Sequence, residues 1–321
     1  MLTYEYECRY VYGPVPSRRL GRSLGVDLVP FKTCTYDCIY CQLGRTTCKT
    51  TQRKEYVPVA DILEELQKRL MGGPPANFVT LAGSGEPTLH SSIGELIGEI
   101  KRLTSIPVAI LTNGSLLWMR EVQDALMEAD LVLPSLDAGN DRSFRQVNRP
   151  HPSIEFEKMV EGLAEFTDRY HKPIWLEVFL LAGITDSNAE VEKIATLATR
   201  IRPERVQLNT VSRPPAEAFA HPVPAGQMEV LARLFQGKAE MIAEQEAGGS
   251  QPLMPPAVTD QVILALLSRR PCTARDVSMG LGLHITEVAK RLESLIQQGR
   301  LLPSRNNGDV IYSIRQGVTQ I

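Results

Sequence analysis

From about residue 23 onward, short runs rich in Val, Ile and Leu alternate with longer stretches in which apolar residues recur every three or four positions. The runs at 23–29, 78–82, 107–112, 131–136, 174–180 and 205–209 have no polar face, as expected of strands covered on both sides. Between them, Ile62/Leu66/Leu70, Ile93/Leu96/Ile97/Ile100/Leu103 and Val191/Ile194/Leu197/Ile201 each mark one face of a helix. This alternation predicts successive β/α units on a parallel sheet. Six units fall short of the eight that close a barrel. The expected fold is therefore α/β, a partial (β/α)6 barrel open on one side, with ligands at the C-terminal ends of the strands.

A helix over 228–245 is expected to end the barrel. Residues 248–257 are dominated by Gly, Pro and Ser and read as a linker. After them come helical patterns at 259–268, 273–279 and 285–298, the last with an apolar stripe at Ile285/Val288/Ala289/Leu292/Leu295/Ile296. Two β-rich runs then flank Asn307-Gly308, a hairpin signal because both residues tolerate positive φ. Three helices followed by a hairpin is the order of a winged helix-turn-helix. The expected organisation is a barrel with an N-terminal arm over 1–247, a linker over 248–257 and a winged-helix-like module over 258–321.

With 321 residues, 43% of them hydrophobic, the chain can bury a large core and a smaller one. No apolar run approaches the roughly 20 residues that cross a bilayer. The first residues carry neither a basic nor an apolar export segment, so a cytoplasmic protein is expected. The net charge of −2 hides an asymmetry: from Pro256 onward eight basic residues face five acidic ones. That surplus suits Thr286, Lys290 and Arg291 for a nucleic-acid groove. The competing reading is a protein-interaction module.

The chemistry concentrates in Cys34-Thr35-Tyr36-Asp37-Cys38-Ile39-Tyr40-Cys41, directly after the first expected strand. Three thiolates on a short loop can hold three irons of a cubane and leave the fourth iron open. Structural zinc needs four ligands, and neither Cys48 nor His90 completes such a set. Cys8, Cys48 and Cys272 are scattered and read as free thiols.

The C-x3-C-x2-C spacing resembles the radical SAM superfamily. The resemblance continues through Gly83-Ser84-Gly85-Glu86-Pro87, Thr112-Asn113-Gly114-Ser115 and Ser135-Leu136-Asp137, each at a strand end. It implies a [4Fe–4S] cluster on Cys34, Cys38 and Cys41, S-adenosylmethionine (SAM) on the open iron, and a low-potential electron donor. It further implies that SAM is cleaved reductively to a 5′-deoxyadenosyl radical. On that pattern Tyr40 lies near the adenine, and Gly83, Ser84, Gly85 and Glu86 serve the methionine ammonium. Asn113, Ser135 and Asp137 contact the ribose and the methionine carboxylate; Ser115 and Asp137 also suit helix caps or Asx turns. Glu177, Gln207 and Asn209 are polar positions on buried strands that require partners.

The segment from Gly13-Pro14-Val15-Pro16-Ser17-Arg18-Arg19 to Gly25, with Ile39-Tyr40-Cys41-Gln42, is similar to a subgroup related to the tRNA wyosine-base synthetases. Those enzymes carry a further cysteine cluster upstream, where this chain has Cys8 alone. The arginines Arg18, Arg19 and Arg22 suit either an anion clamp or a solvated arm. Three functional readings follow: a radical SAM enzyme acting on RNA or a polypeptide, one acting on a small metabolite, or an iron–sulfur regulator that reads DNA.

Overall fold

The computed structural model describes residues 10–73, 75–236, 239–242, 259–269, 271–281, 283, 285–306 and 309–315. They pack as two units. One comprises Met1–Val26, Ala60–Val79 and Glu244–Ile321; the other comprises Asp27–Val59 and Thr80–Ala243. The arm and most of helix Val59–Gly72 thus group with the C-terminal module, a division by packing that differs from one drawn along the chain. The 248–257 segment and the Asn307-Gly308 turn lie outside the described residues.

In the first unit, strand Val11–Ser17 runs antiparallel to Gly21–Asp27, with Tyr12 opposite Gly25. A Cβ on Gly25 would stand 2.2 Å from the Tyr12 ring, so only glycine lets the tyrosine lie flat across the partner strand. Tyr12 and Val15 are buried in one core with Ile263, Leu267, Val277 and Leu292. That core belongs to helices Asp260–Arg269, Ala274–Leu281 and Ile285–Gln297. Strands Leu301–Asn306 and Asp309–Ile314 pair antiparallel, and short strand Cys272–Thr273 adds to the second of them. Val288, Leu292 and Leu295 form the buried stripe of Ile285–Gln297, whereas Ile285 is 43% exposed.

The second unit is built on parallel strands. Val108–Thr112 pairs with Leu131–Pro134, and Phe78–Ala82 lies on the far side of Val108–Thr112. Bridges Val132↔Ile174 and Ser135↔Glu177 lead on to Trp175–Phe179, which pairs in parallel with Arg205–Asn209. Helices Ile93–Leu103, Phe156–Arg169 and Asn188–Ile201 bury their apolar faces. The expected strands recur within a few residues. The expected helix over 228–245 does not: helix Ala225–Ala232 gives way to a 3-10 turn and to Gln236 in the left-handed region at φ 54°. Strand Ala239–Met241 then joins the sheet parallel to Arg205–Asn209. A left-handed non-glycine residue cannot continue a helix, and residues 243–245 of the expected helix lie outside the described set. Among the described residues no helix is long and apolar enough to cross a membrane.

Candidate functional site

The cysteine loop lies in the second unit and is pinned on both flanks. Strand Thr33–Cys34 pairs in parallel with Cys48–Lys49. Further along, Asp37 N–H donates to the Asn148 carbonyl and Ile39 N–H to that of Val147. The Asp37 carboxylate accepts from Thr46 N–H at 2.7 Å. Tyr36 and Ile39 are buried and anchor the loop, the tyrosine edge-on against Phe144 and the isoleucine among Val147, Leu181 and Val211. Cys34, Cys38 and Cys41 are left as free, half-buried cysteines.

The glycine-rich strand end fastens the approach to Cys34. Lys32 N–H donates to the Ser84 carbonyl at 2.6 Å, and Glu86 N–H donates to that of Thr33 at 3.1 Å. Gly85 sits so close that a Cβ would lie 1.9 Å from the Thr33 oxygen. Gly83 takes φ 105°, a backbone conformation that glycine accepts freely. The Glu86 side chain, 1% exposed, braces the next strand end. Its Oε1 accepts from Thr88 N–H, Thr88 O–H and Thr112 O–H, and its Oε2 accepts from Asn113 N–H at 2.8 Å. Burial pushes its carboxyl above the usual range, with those bonds opposing the rise. The carboxylate expected to meet an ammonium is therefore already occupied by four donors.

Each cysteine sulfur receives one side-chain N–H donor. Asn113 Nδ2 donates to Cys34 Sγ at 3.6 Å, Asn148 Nδ2 to Cys38 Sγ at 3.5 Å and Lys32 Nζ to Cys41 Sγ at 3.3 Å. Burial pushes the Cys34 thiol up to about 12 and the Cys38 thiol well above its usual value, so these groups ionise only when a cation replaces the proton. Among the described residues no three His, Cys, Asp or Glu side chains converge as a single metal ion requires. Cysteines around a cubane each take a different iron, so three sulfurs on one loop, each met by a side-chain N–H, fit a three-cysteine cluster.

Asp137 does not stand free at its strand end. It is 4% exposed and accepts from Tyr40 O–H at 2.5 Å, Asn148 Nδ2 at 2.7 Å and Phe179 N–H at 3.0 Å. Burial raises its carboxyl to about 6, opposed by those bonds. Tyr40 stacks on Phe179 at 4.0 Å between ring centroids. The sequence expected Tyr40 and Asp137 to meet a ligand separately; the structure joins them to each other and, through Asn148, to Cys38. Ser135 is half-buried beside this group, bridged to Glu177. Glu177 Oε1 accepts from Asn209 Nδ2 and Glu240 Oε1 from Gln207 Nε2, which supplies partners for the polar strand positions. Arg18, Arg19 and Arg22 belong to the first unit, and Cys48 is exposed. His90 is buried with Nε2 2.8 Å from the Val57 carbonyl.

Two residues escaped the sequence reading. Lys32 has no motif around it, and a lone lysine before a cysteine looks like any surface lysine. Asn148 lies 110 positions from Cys38, so only the fold brings them together.

Residues 28–198 match the radical SAM superfamily. The chain is 38% identical over 310 residues to the GTPase Obg of Brachyspira hyodysenteriae, covering 95% of this chain and 45% of that protein. It thus spans less than half of that relative's length. It is 31% identical over 310 residues to the UPF0026 protein MJ1312 of Methanocaldococcus jannaschii, with 94% of each covered. A radical SAM methyltransferase from Sphaerobacter thermophilus superposes with a TM-score of 0.53 at 15% identity, over 68% of this chain and 65% of that one. This last likeness is one of fold, a partial β/α barrel.

Proposed function

Because the chain belongs to the radical SAM superfamily, we propose that Cys34, Cys38 and Cys41 hold a [4Fe–4S] cluster and that the protein cleaves SAM to modify a larger substrate. The observation that carries this reading is the set of three free cysteine sulfurs, each met by a separate side-chain donor, on a loop pinned to the ends of parallel strands. When bound, the cluster would chelate the methionine end of SAM through its open iron and, reduced by a low-potential donor, cleave SAM to a 5′-deoxyadenosyl radical.

The chain's own groups divide the remaining tasks. The backbone of Gly83, Ser84 and Gly85 presents a strand end without bulk to the methionine part, while Glu86 braces that turn. Asn113 serves Cys34, and Ser135 stands toward the ribose. Tyr40, held by Asp137 and Phe179, offers its ring to the adenine.

RNA is the favoured substrate and a polypeptide the second. The support is the winged-helix order of the C-terminal module, its basic surplus and the exposed Lys290, Arg300 and Arg305. Arg291 is engaged by Glu287 and Asp260 and drops out of the expected contact set. The resemblance of the Gly13–Gly25 and Ile39–Gln42 segments to the wyosine-base synthetases also favours an RNA base.

The test is anaerobic reconstitution with iron and sulfide, dithionite reduction with SAM, and chromatography for 5′-deoxyadenosine, with Cys38→Ala as control. Product from the wild type alone supports the reading. A loaded protein that yields none, even with cell extract added, overturns it. Replacing Lys290, Arg300 and Arg305 by Glu in the full chain should weaken RNA binding and flatten its salt dependence; unchanged binding would count against RNA.

A further inference from the structure

We propose that Lys32 sets the reduction potential of the cluster, a role that rests on the three-cysteine reading above. Lys32 is 3% exposed, and its ammonium lies 3.3 Å from Cys41 Sγ. Among the described residues no carboxylate forms an ion pair with it. Burying an ammonium without a counter-charge is costly, because the charge gives up its hydration. Its backbone adds a second cost, since Lys32 holds φ 60° in the left-handed region that non-glycine residues rarely adopt.

The surroundings fix that conformation. Lys32 N–H donates to Ser84, and the Lys32 carbonyl accepts from Thr47 N–H and Cys48 N–H, both at 3.1 Å. The glycine-rich strand end and the strand beyond the cysteine loop therefore clamp this residue from two sides. That clamp holds the Lys32 backbone in place, and its buried side chain ends at Cys41 Sγ.

A cluster with three thiolates bears one net negative charge when oxidised and two when reduced. The two amide donors, Asn113 and Asn148, carry no net charge. Two buried carboxyl groups, Glu86 and Asp137, lie on the Cys34 and Cys38 sides of the site. Lys32 is the charged member of the donor set, and a cation held close to the sulfurs favours the more negative, reduced state. Removing it should leave the cluster harder to reduce.

The test is an EPR-monitored redox titration of the reconstituted full chain, wild type against Lys32→Met, Lys32→Gln and Lys32→Arg. Met and Gln endure the same backbone conformation as Lys, so the comparison isolates the charge; Gln also keeps a donor. The expected result is a reduced-to-oxidised ratio at least tenfold lower at fixed poise in the Met and Gln variants, a shift of about 59 mV for one electron. Arg should restore most of it. Equal iron and sulfide loading with a reduced-to-oxidised ratio less than tenfold below wild type overturns the proposal, and so does a loss of SAM affinity with an unmoved midpoint. If Met fails to load, the Gln variant decides by the same criterion. A wild type that forms no [4Fe–4S] signal defeats the cluster reading instead, which separates the two failures.

Discussion

Replacing Glu86 by Gln should destabilise the protein by about 2–4 kcal/mol. In the native arrangement Oε1 takes three donors from Thr88 and Thr112 while Oε2 takes Asn113 N–H. Gln can keep its carbonyl on the three-donor side, but its amide nitrogen then faces Asn113 N–H, donor against donor. One bond to a charged acceptor is lost, at roughly 1.5–3 kcal/mol, and a buried N–H is left unpaired, at about 1–3 kcal/mol. Easier burial of a neutral amide offsets part of this, because Glu86 is 1% exposed and desolvation already raises its carboxyl. Urea denaturation at neutral pH reads the difference. A Glu86→Gln protein as stable as wild type but unable to bind SAM would refute the brace and return the carboxylate to the ligand.

Gly85→Ala should block cluster assembly, since its Cβ would meet the Thr33 oxygen at 1.9 Å and push the cysteine approach outward; iron and sulfide content after reconstitution checks this. Asp137 has its carboxyl raised from 3.8 to about 6, so the folded state binds the extra proton between those values and stability falls as pH rises through that window, by about 3 kcal/mol. Asp137→Asn should abolish that slope in denaturation of the cluster-free protein, and a retained slope would assign it elsewhere. Gly25→Ala should lower the melting temperature by displacing the Tyr12 ring from the core it shares with Ile263 and Leu292; unchanged melting would mean the ring relocates freely.

The strands were legible because their apolar runs are short and lack a polar face, and the cluster loop because three cysteines in eight residues have few other uses. The carboxylates were legible only as positions. Nothing local distinguishes a Glu86 that holds a ligand from one that holds Thr88, Thr112 and Asn113, since the answer depends on where the next strand ends. The helix expected over 228–245 failed because Leu231, Leu234 and Phe235 carry helical spacing into a turn that Gln236 ends. Strand Val11–Ser17 was hidden behind Gly13-Pro14 and Pro16, residue types that weaken a strand pattern; its partner Gly21–Asp27 supplies the order that its own sequence lacks.

The core that joins Tyr12 and Val15 to Ile263, Leu267 and Leu292 has a consequence for synthesis. Tyr12 and Val15 find their apolar partners only when residues some 250 positions later in the chain have left the ribosome. Until then the hairpin arm is a sticky edge, the kind of transient surface that recruits chaperones or aggregates. Cutting the chain before residue 256 would leave that arm permanently in its nascent condition.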